Sequence, residues 1–240
     1  IYTYNTTVTT HIKDGIFRIY DGHKMVINEK ANKIAAYNQF KFYPTSRLTL
    51  TTGLRYDRFR YNRKQAIDPR IGISYKLLKN TSVNLALAQQ SQSPNFEQLT
   101  DHKDNKSLDY KHTKQVVFGL EKLLREDTRG SVEFFYRDYK NVPIPIDWLT
   151  PDPYDQSDSL VNKGKGYSKG VEFFLQKKLA KKFHFTISYA YTISKGYDNR
   201  VNRYYNWDYD YRHIFIAIAG VKFKFSEKDW YKRLSQKLFY

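Results

Sequence analysis

Residues 183–194 alternate with a period of two: Phe183, Phe185, Ile187, Tyr189, Tyr191 and Ile193 oppose His184, Thr186, Ser188, Ala190, Thr192 and Ser194. That period predicts a strand with a bulky apolar face and a small polar face. Ile71, Ile73, Tyr75 and Leu77 likewise oppose Arg70, Gly72, Ser74 and Lys76. Leu48, Leu50, Leu54 and Tyr56 oppose Thr49, Thr51, Gly53, Arg55 and Asp57. Further strands are expected over His112–Leu124, Thr128–Tyr139, Lys165–Lys178 and Asp208–Phe225. The first forty residues alternate less cleanly, with candidates at Tyr2–Ile12, Gly15–Tyr20 and Ile34–Phe42.

The connections are alternately short and long. Short ones fall at Lys13-Asp14-Gly15, Tyr43–Ser46, Lys79-Asn80, Arg125–Asp127 and Leu179–Lys182. Long ones fall at Asp21–Lys33, Tyr61–Ile67, Gln92–Tyr110, Asn141–Gly164 and Gly196–Trp207. In an antiparallel series this places every short turn at one end and every long loop at the other, the asymmetry of outer-membrane barrels. A soluble sandwich would also alternate, but its strands usually run about five or six residues. The strands here are longer, and Arg55, Asp57, Arg70, Lys76, Glu133, Arg137 and Glu172 share the side away from the bulky apolar series. In a barrel those charges face a wet lumen and the apolar series faces lipid. Phe135 and Phe174 break that rule and call for a local explanation.

Composition agrees with this fold and narrows the chemistry. Aromatic residues make up 17% of the chain, with 22 Tyr and 16 Phe, while Cys is absent. Disulfides, thiolate metal sites and cysteine nucleophiles are therefore excluded. The longest nearly unbroken apolar run, Ile214–Val221, is far shorter than the roughly 20 residues of a membrane-spanning helix. The net charge of +17 raises the question of nucleic acid, but Lys and Arg are scattered over strand ends, turns and loops, so none is expected as a partner.

Several segments resemble TonB-dependent outer-membrane receptors. Arg47-Leu-Thr-Leu-Thr-Thr-Gly-Leu-Arg-Tyr-Asp57 looks like that family's LTLxxGLRYD strand, and Pro69-Arg-Ile-Gly-Ile-Ser-Tyr75 like its PRxGxxY strand. Gln92-Ser-Pro-Asn-Phe-Glu-Gln-Leu99 is similar to a loop entry of the family. Val161-Asn-Lys-Gly-Lys-Gly-Tyr-Ser-Lys-Gly-Val-Glu172 is similar to its N-x-G-x(5)-GVE segment, and Asp208-Tyr-Asp-Tyr-Arg-His213 to a D-x-RH strand start. Individually weak, these matches gain weight by occurring in family order.

The resemblance implies an all-β, antiparallel up-and-down transmembrane β-barrel of roughly 22 strands around a plug. Residues 1–240 would supply about eleven or twelve of them as a barrel segment, with the plug and TonB box outside it. It further implies outer-membrane lipid and lipopolysaccharide around the wall, a small-molecule nutrient at the loops, and TonB-coupled import. A ferric siderophore or related chelate is the expected nutrient. Two alternatives stay open: a passive porin-type channel, and a basic β protein that binds a polyanion.

No enzyme chemistry and no cofactor are expected. Gly164–Gly170 fits neither phosphate-loop spacing, and no helix is predicted after it. Asp152, Asp155 and Asp158 lack the fixed Gly and closing Glu of a calcium loop. The six His residues show no metal-binding spacing, and no G-x-S-x-G nucleophile motif occurs. Ligand contacts are expected in the long loops, which a rigid scaffold can position. The candidates are Trp148, Tyr154, Tyr197, Arg200, Arg203, Tyr204, Tyr205 and Trp207, since aromatic faces beside cations suit an anionic or aromatic ligand. The competing assignment for each aromatic is the interfacial girdle or loop packing.

Overall fold

The computed structural model describes residues 6–12, 16–20, 23–27, 31–149, 159–179 and 182–222; of residues 6–12, 16–20, 23–27, 31 and 97 only the backbone enters the description. The strands are β1 (Thr6–Ile12), β2 (Ile16–Tyr20), β3 (His23–Ile27), β4 (Ala31–Phe42), β5 (Leu48–Phe59), β6 (Lys64–Leu78) and β7 (Thr81–Gln92). They continue as β8 (Lys111–Arg125), β9 (Thr128–Pro145), β10 (Leu160–Lys177), β11 (Phe183–Asp198), β12 (Arg203–Asn206) and β13 (His213–Val221). One short helix, α1 (Phe96–Asp101), lies between β7 and β8.

Eleven strands form one antiparallel sheet in the order β1-β4-β5-β6-β7-β8-β9-β10-β11-β12, with β13 also paired to β11. Among the described residues this sheet does not close on itself. It is the expected up-and-down barrel wall, present as an arc. Tyr43–Ser46, Lys79-Asn80, Arg125–Asp127 and Leu179–Lys182 lie at or beside turns at one end; the longer connections lie at the other.

The ladders explain the two faces. Phe118 stands opposite Leu85 on one side and Phe134 on the other, and Val171 stands between Phe134 and Tyr191. One face is thus a continuous apolar surface, and much of it is exposed: Leu54, Ile71, Leu87, Phe118, Phe134 and Phe173 are solvent-facing. Exposed apolar area of this extent marks an interface with something apolar. The opposite face carries Thr49, Thr51, Gly72, Ser74, Asn84 and Ala86 around a shallow hollow of about 370 Å³. Phe135, on that polar face, is 7% exposed because it lies over Gly170, where an added Cβ would come within 2.8 Å of its ring. The Arg137 guanidinium covers Phe135 at 4.6 Å, and Arg129 covers Phe174 at 5.3 Å. The two exceptions to the polar-face pattern are therefore each capped by a cation.

Local departures from the expected layout have identifiable causes. β1 pairs with β4, from Ile12 opposite Ala31 to Thr6 opposite Tyr37, and β2 and β3, which lie between them in the chain, pair antiparallel with each other in a separate sheet. The expected turn at Lys13-Asp14-Gly15 falls outside the described residues. The segment Tyr61–Ile67 is a tight reversal rather than a long loop, because β6 already begins at Lys64; Arg63 takes the left-handed backbone there, with φ 58°. Within the expected loop Gly196–Trp207, β11 runs on to Asp198 and β12 returns beside it, with Asn202 left-handed at φ 51°. The expected strand Asp208–Phe225 starts only at His213; residues 207–212 bend out of the ladder.

Candidate functional site

At the long-loop end two structures rise from the wall. The first is built by residues 93–110. Leu99, Leu108 and Tyr110 are buried with Phe59 of β5 and Ala66 of β6, and Tyr61, Phe96 and Leu160 pack on them. Gln98 Oε1 accepts the Asn95 N–H at the start of α1. Buried backbone groups need partners, and amide side chains supply them. The fully buried Asn105 accepts the Leu160 N–H at 2.7 Å, and Asn62 donates to the Leu108 carbonyl at 2.8 Å. Asn162 accepts the Asp109 N–H at 2.7 Å and donates to the Asn141 carbonyl at 2.8 Å. The loop is thereby tied to the β5–β6 turn and to β10. Burial pushes the Tyr110 phenol up to about 12, with Asp57 and Asp109 adding to the effect.

The second structure gathers around β10–β12. Trp207 lies across Gly166 and Gly196 on the polar face: an added Cβ would come within 2.6 Å of its ring at Gly166 and 2.1 Å of Nε1 at Gly196. Only glycine permits that approach. The Trp207 N–H donates to the Ser194 carbonyl at 3.2 Å, and Tyr139 lies 5.1 Å from the indole. Asp210 accepts the Ser194 N–H at 2.7 Å and pairs with Arg212 at 2.8 Å. The Asp208–His213 motif thus serves as the bracket that turns the chain back into β13.

Above this bracket, two loops meet. Trp148 ends the short 3-10 turn Ile146–Trp148, and the Arg200 guanidinium from the β11–β12 tip stacks 4.3 Å from its ring. Arg200 also donates to both oxygens of Asp198, at 3.1 and 2.8 Å. Those hydrogen bonds hold the Asp198 carboxyl below the usual carboxylate range. Beside the stacked pair, Asp147 Oδ1 and Asn199 Nδ2 are buried without a partner among the described residues. A buried acceptor and a buried donor left unmatched are costly, so this junction is held less firmly than the first structure. The stacked guanidinium adds fixed donors for an oxygen-rich anion.

The eight sequence candidates therefore divide. Trp148 and Arg200 come together at the loop tips. Tyr205 and Trp207 lie on the polar face against Gly196, and Arg203 stands opposite Asp198 in the ladder. Tyr197 and Tyr204 meet edge to face at 5.1 Å and continue through Tyr167 to Tyr136, a row on the apolar face. Tyr154 lies outside the described residues, as do Asp152, Asp155 and Asp158. Sequence reading missed the structural amides Asn62, Asn105 and Asn162; only the Asn162 motif gave a signal. Among the described residues, no group of His, Asp or Glu side chains is arranged to hold a metal ion.

Comparison with known proteins follows the same lines. No curated protein matches the chain. Among solved structures, the ferripyoverdine receptor of the Pseudomonas aeruginosa outer membrane aligns with TM-score 0.67 at 17% identity over 85% of this chain and 28% of its own. The siderophore receptor PiuA from Acinetobacter baumannii aligns with TM-score 0.60 at 17% identity over 76% and 29%. A mutant ferric enterobactin receptor from Pseudomonas aeruginosa aligns with TM-score 0.58 at 15% identity over 82% and 38%. The chain thus spans about a third of the length of these structures. The family described as TonB dependent receptor-like, beta-barrel, matches residues 2–240. The apolar wall, the polar face and the one-sided loops are those of this family: the chain belongs to the TonB-dependent receptor-like β-barrels of the Gram-negative outer membrane.

Proposed function

We propose that the chain is the ligand-facing wall of an outer-membrane receptor that captures a ferric siderophore or related metal chelate and imports it with TonB-supplied energy. The observation that carries this reading is the junction of Trp148, Arg200, Asp147 and Asn199 above a braced loop scaffold. Such a junction offers an aromatic face and a cation, which suit an oxygen-rich chelate. The solved neighbours named for ferripyoverdine and enterobactin support the same ligand class.

The polar face supports a filled lumen over an open passive channel. Glu133 stands directly opposite Glu172 in the β9–β10 ladder. Like charges facing each other destabilise a sheet, so a cation from a lumen-filling segment would offset their repulsion. The open edges of β1 and β13 would pair with further strands, since lipid does not tolerate an unpaired edge. Lipid and lipopolysaccharide would surround the closed wall.

The test is uptake of labelled ferric siderophores by iron-starved cells that carry the full-length protein as their sole receptor. The proposal expects saturable uptake that stops when TonB is removed. Uptake that persists without TonB, or that never saturates, would favour the passive channel.

A further inference from the structure

One cross-strand row near the long-loop end of the polar face is built as a slot. Tyr139 of β9 stands opposite Gly166 of β10, Gly166 opposite Gly196 of β11, and Gly196 opposite Tyr205 of β12. Two aromatic positions thus flank two positions without side chains. Strands lie ~4.8 Å apart, so the flanking Cα atoms are about 14 Å from each other with bare backbone between them. The Trp207 indole fills that floor, its pyrrole ring over Gly196 and its benzene ring over Gly166. Tyr139 closes one side at 5.1 Å, and Tyr205 closes the other against Gly196.

The part of the chain that this indole fastens would be weakly held without it. β12 has four residues, all exposed, and pairs with β11 only from Lys195–Asn206 to Asp198–Arg203. A two-stranded extension of that length is marginal in water. Immediately below it the ladder breaks. The Asp210 N–H turns back to the Trp207 carbonyl at 2.9 Å, and the Asp210 carboxylate accepts the Ser194 N–H in place of a strand carbonyl. Arg212 spans the break, donating to Asn206 Oδ1 at 3.2 Å and to Asp210 at 2.8 Å. The extension is therefore anchored at its foot by one indole in one slot, while its tip carries Arg200.

We propose that Trp207 is the positioning residue of the loop-tip junction: seated in the two-glycine slot, it sets the height and direction of the β11–β12 extension so that Arg200 meets Trp148. The inference rests on the reading of that junction as the capture site, and adds to it a residue that acts from the lumen side without touching the ligand. One broad face of the indole is laid on backbone and both its ends are closed by tyrosines, so the ring is committed to the wall. Holding the tip in place before the ligand arrives removes an ordering cost from binding.

Hydrogen exchange of the ligand-free full-length protein reads the tip directly. Trp207→Ala and Gly196→Ala should each speed exchange across residues 197–203 by at least about tenfold, with residues 93–110 and 183–191 unchanged. The atoms nearest an added Cβ at Gly196 all belong to the Trp207 and Tyr205 side chains, so Gly196→Ala unseats the indole while leaving it in the protein. Trp207→Phe keeps a ring in the slot and should return exchange to near the parent's rate. In binding, Trp207→Ala or Gly196→Ala should weaken the ferric chelate that the parent holds best by at least about tenfold. Added to Arg200→Ala, either change should cost less than about twofold more, because the residue acts through Arg200. Additive losses would make Trp207 a direct ligand contact and overturn the positioning role. Unchanged exchange at residues 197–203 in the folded variants, or exchange that rises equally along the wall, would overturn it too. Should Trp207→Ala fail to fold, Gly196→Ala carries both measurements. A folded parent that binds no ferric chelate would defeat the capture reading, and exchange at the tip would still decide whether Trp207 positions it.

Discussion

The two loop structures at the external end solve different problems with similar residues. Residues 93–110 bury their apolar side chains against β5 and β6 and satisfy their backbone through Asn62, Asn105 and Asn162. The Ile146–Trp148 turn and the β11–β12 tip instead meet through a cation stacked on an indole, itself held by an ion pair within the tip, and leave two polar atoms unmatched among the described residues. The first has the organisation of a scaffold, with its amide side chains bonded to the backbone. The second holds groups in reserve. This difference, more than aromatic content, distinguishes the region suited to ligand capture.

Breaking the scaffold should therefore cost stability, while breaking the junction should cost binding. The largest effect is expected for Leu99→Ala, which opens a cavity in the buried cluster and should lower the stability of the loop region by about 2–5 kcal/mol. Limited proteolysis between residues 93 and 110 reads that loss. Next comes Asn105→Ala, which leaves the Leu160 N–H buried and unpaired, at about 1–3 kcal/mol. Arg200→Ala should leave stability nearly unchanged, because its stacking on Trp148 and its pair with Asp198 lie at the solvent-screened surface. Its chelate affinity should nevertheless fall by at least about tenfold if the guanidinium holds the anion through two charge-assisted bonds.

The smallest effects sharpen the contrast at opposite ends of the pH scale. Asp198 is held below its usual range, so its pairing with Arg200 is present above about pH 4 and lost as pH falls through the depressed value. Acid should therefore loosen the junction, read as a change in Trp148 fluorescence that Trp148→Phe abolishes. Tyr110 is shifted the other way. Its neutral form is favoured in the fold, so its contribution is intact below its ordinary value of 10.0 and lost as pH rises toward about 12. Hydrogen exchange should show residues 93–110 opening in that alkaline window while the junction does not.

The sequence carried the wall more clearly than the site. Over residues 70–77 and 183–194, lipid on one side and water on the other demand opposite residue types, so alternation reveals the facing directly. Past the membrane both faces meet water and that contrast fades. Tyr197 and Tyr204 consequently read as loop residues, although they continue the outward row, while Tyr205 and Trp207 turn to the polar face. Pairing of β1 with β4 across an intervening hairpin is a long-range choice that no local period encodes. Asn62 and Asn105 were unreadable for a similar reason, since an Asn in a loop signals a turn as readily as a bracket. The glycines at 164, 166 and 170 were visible as a motif, but their purpose needed the positions of Val142, Trp207 and Phe135.

The most direct test of the central claim is equilibrium binding of a panel of ferric siderophores to the full-length protein and to its Arg200→Ala and Asn105→Gln forms. At least one ferric chelate should bind the parent saturably, and the Arg200 change should weaken it more than the Asn105 change at matched folding. Equal binding by all three forms, or no binding of any ferric chelate by the folded parent, would contradict the assignment of the loop-tip junction as the capture site.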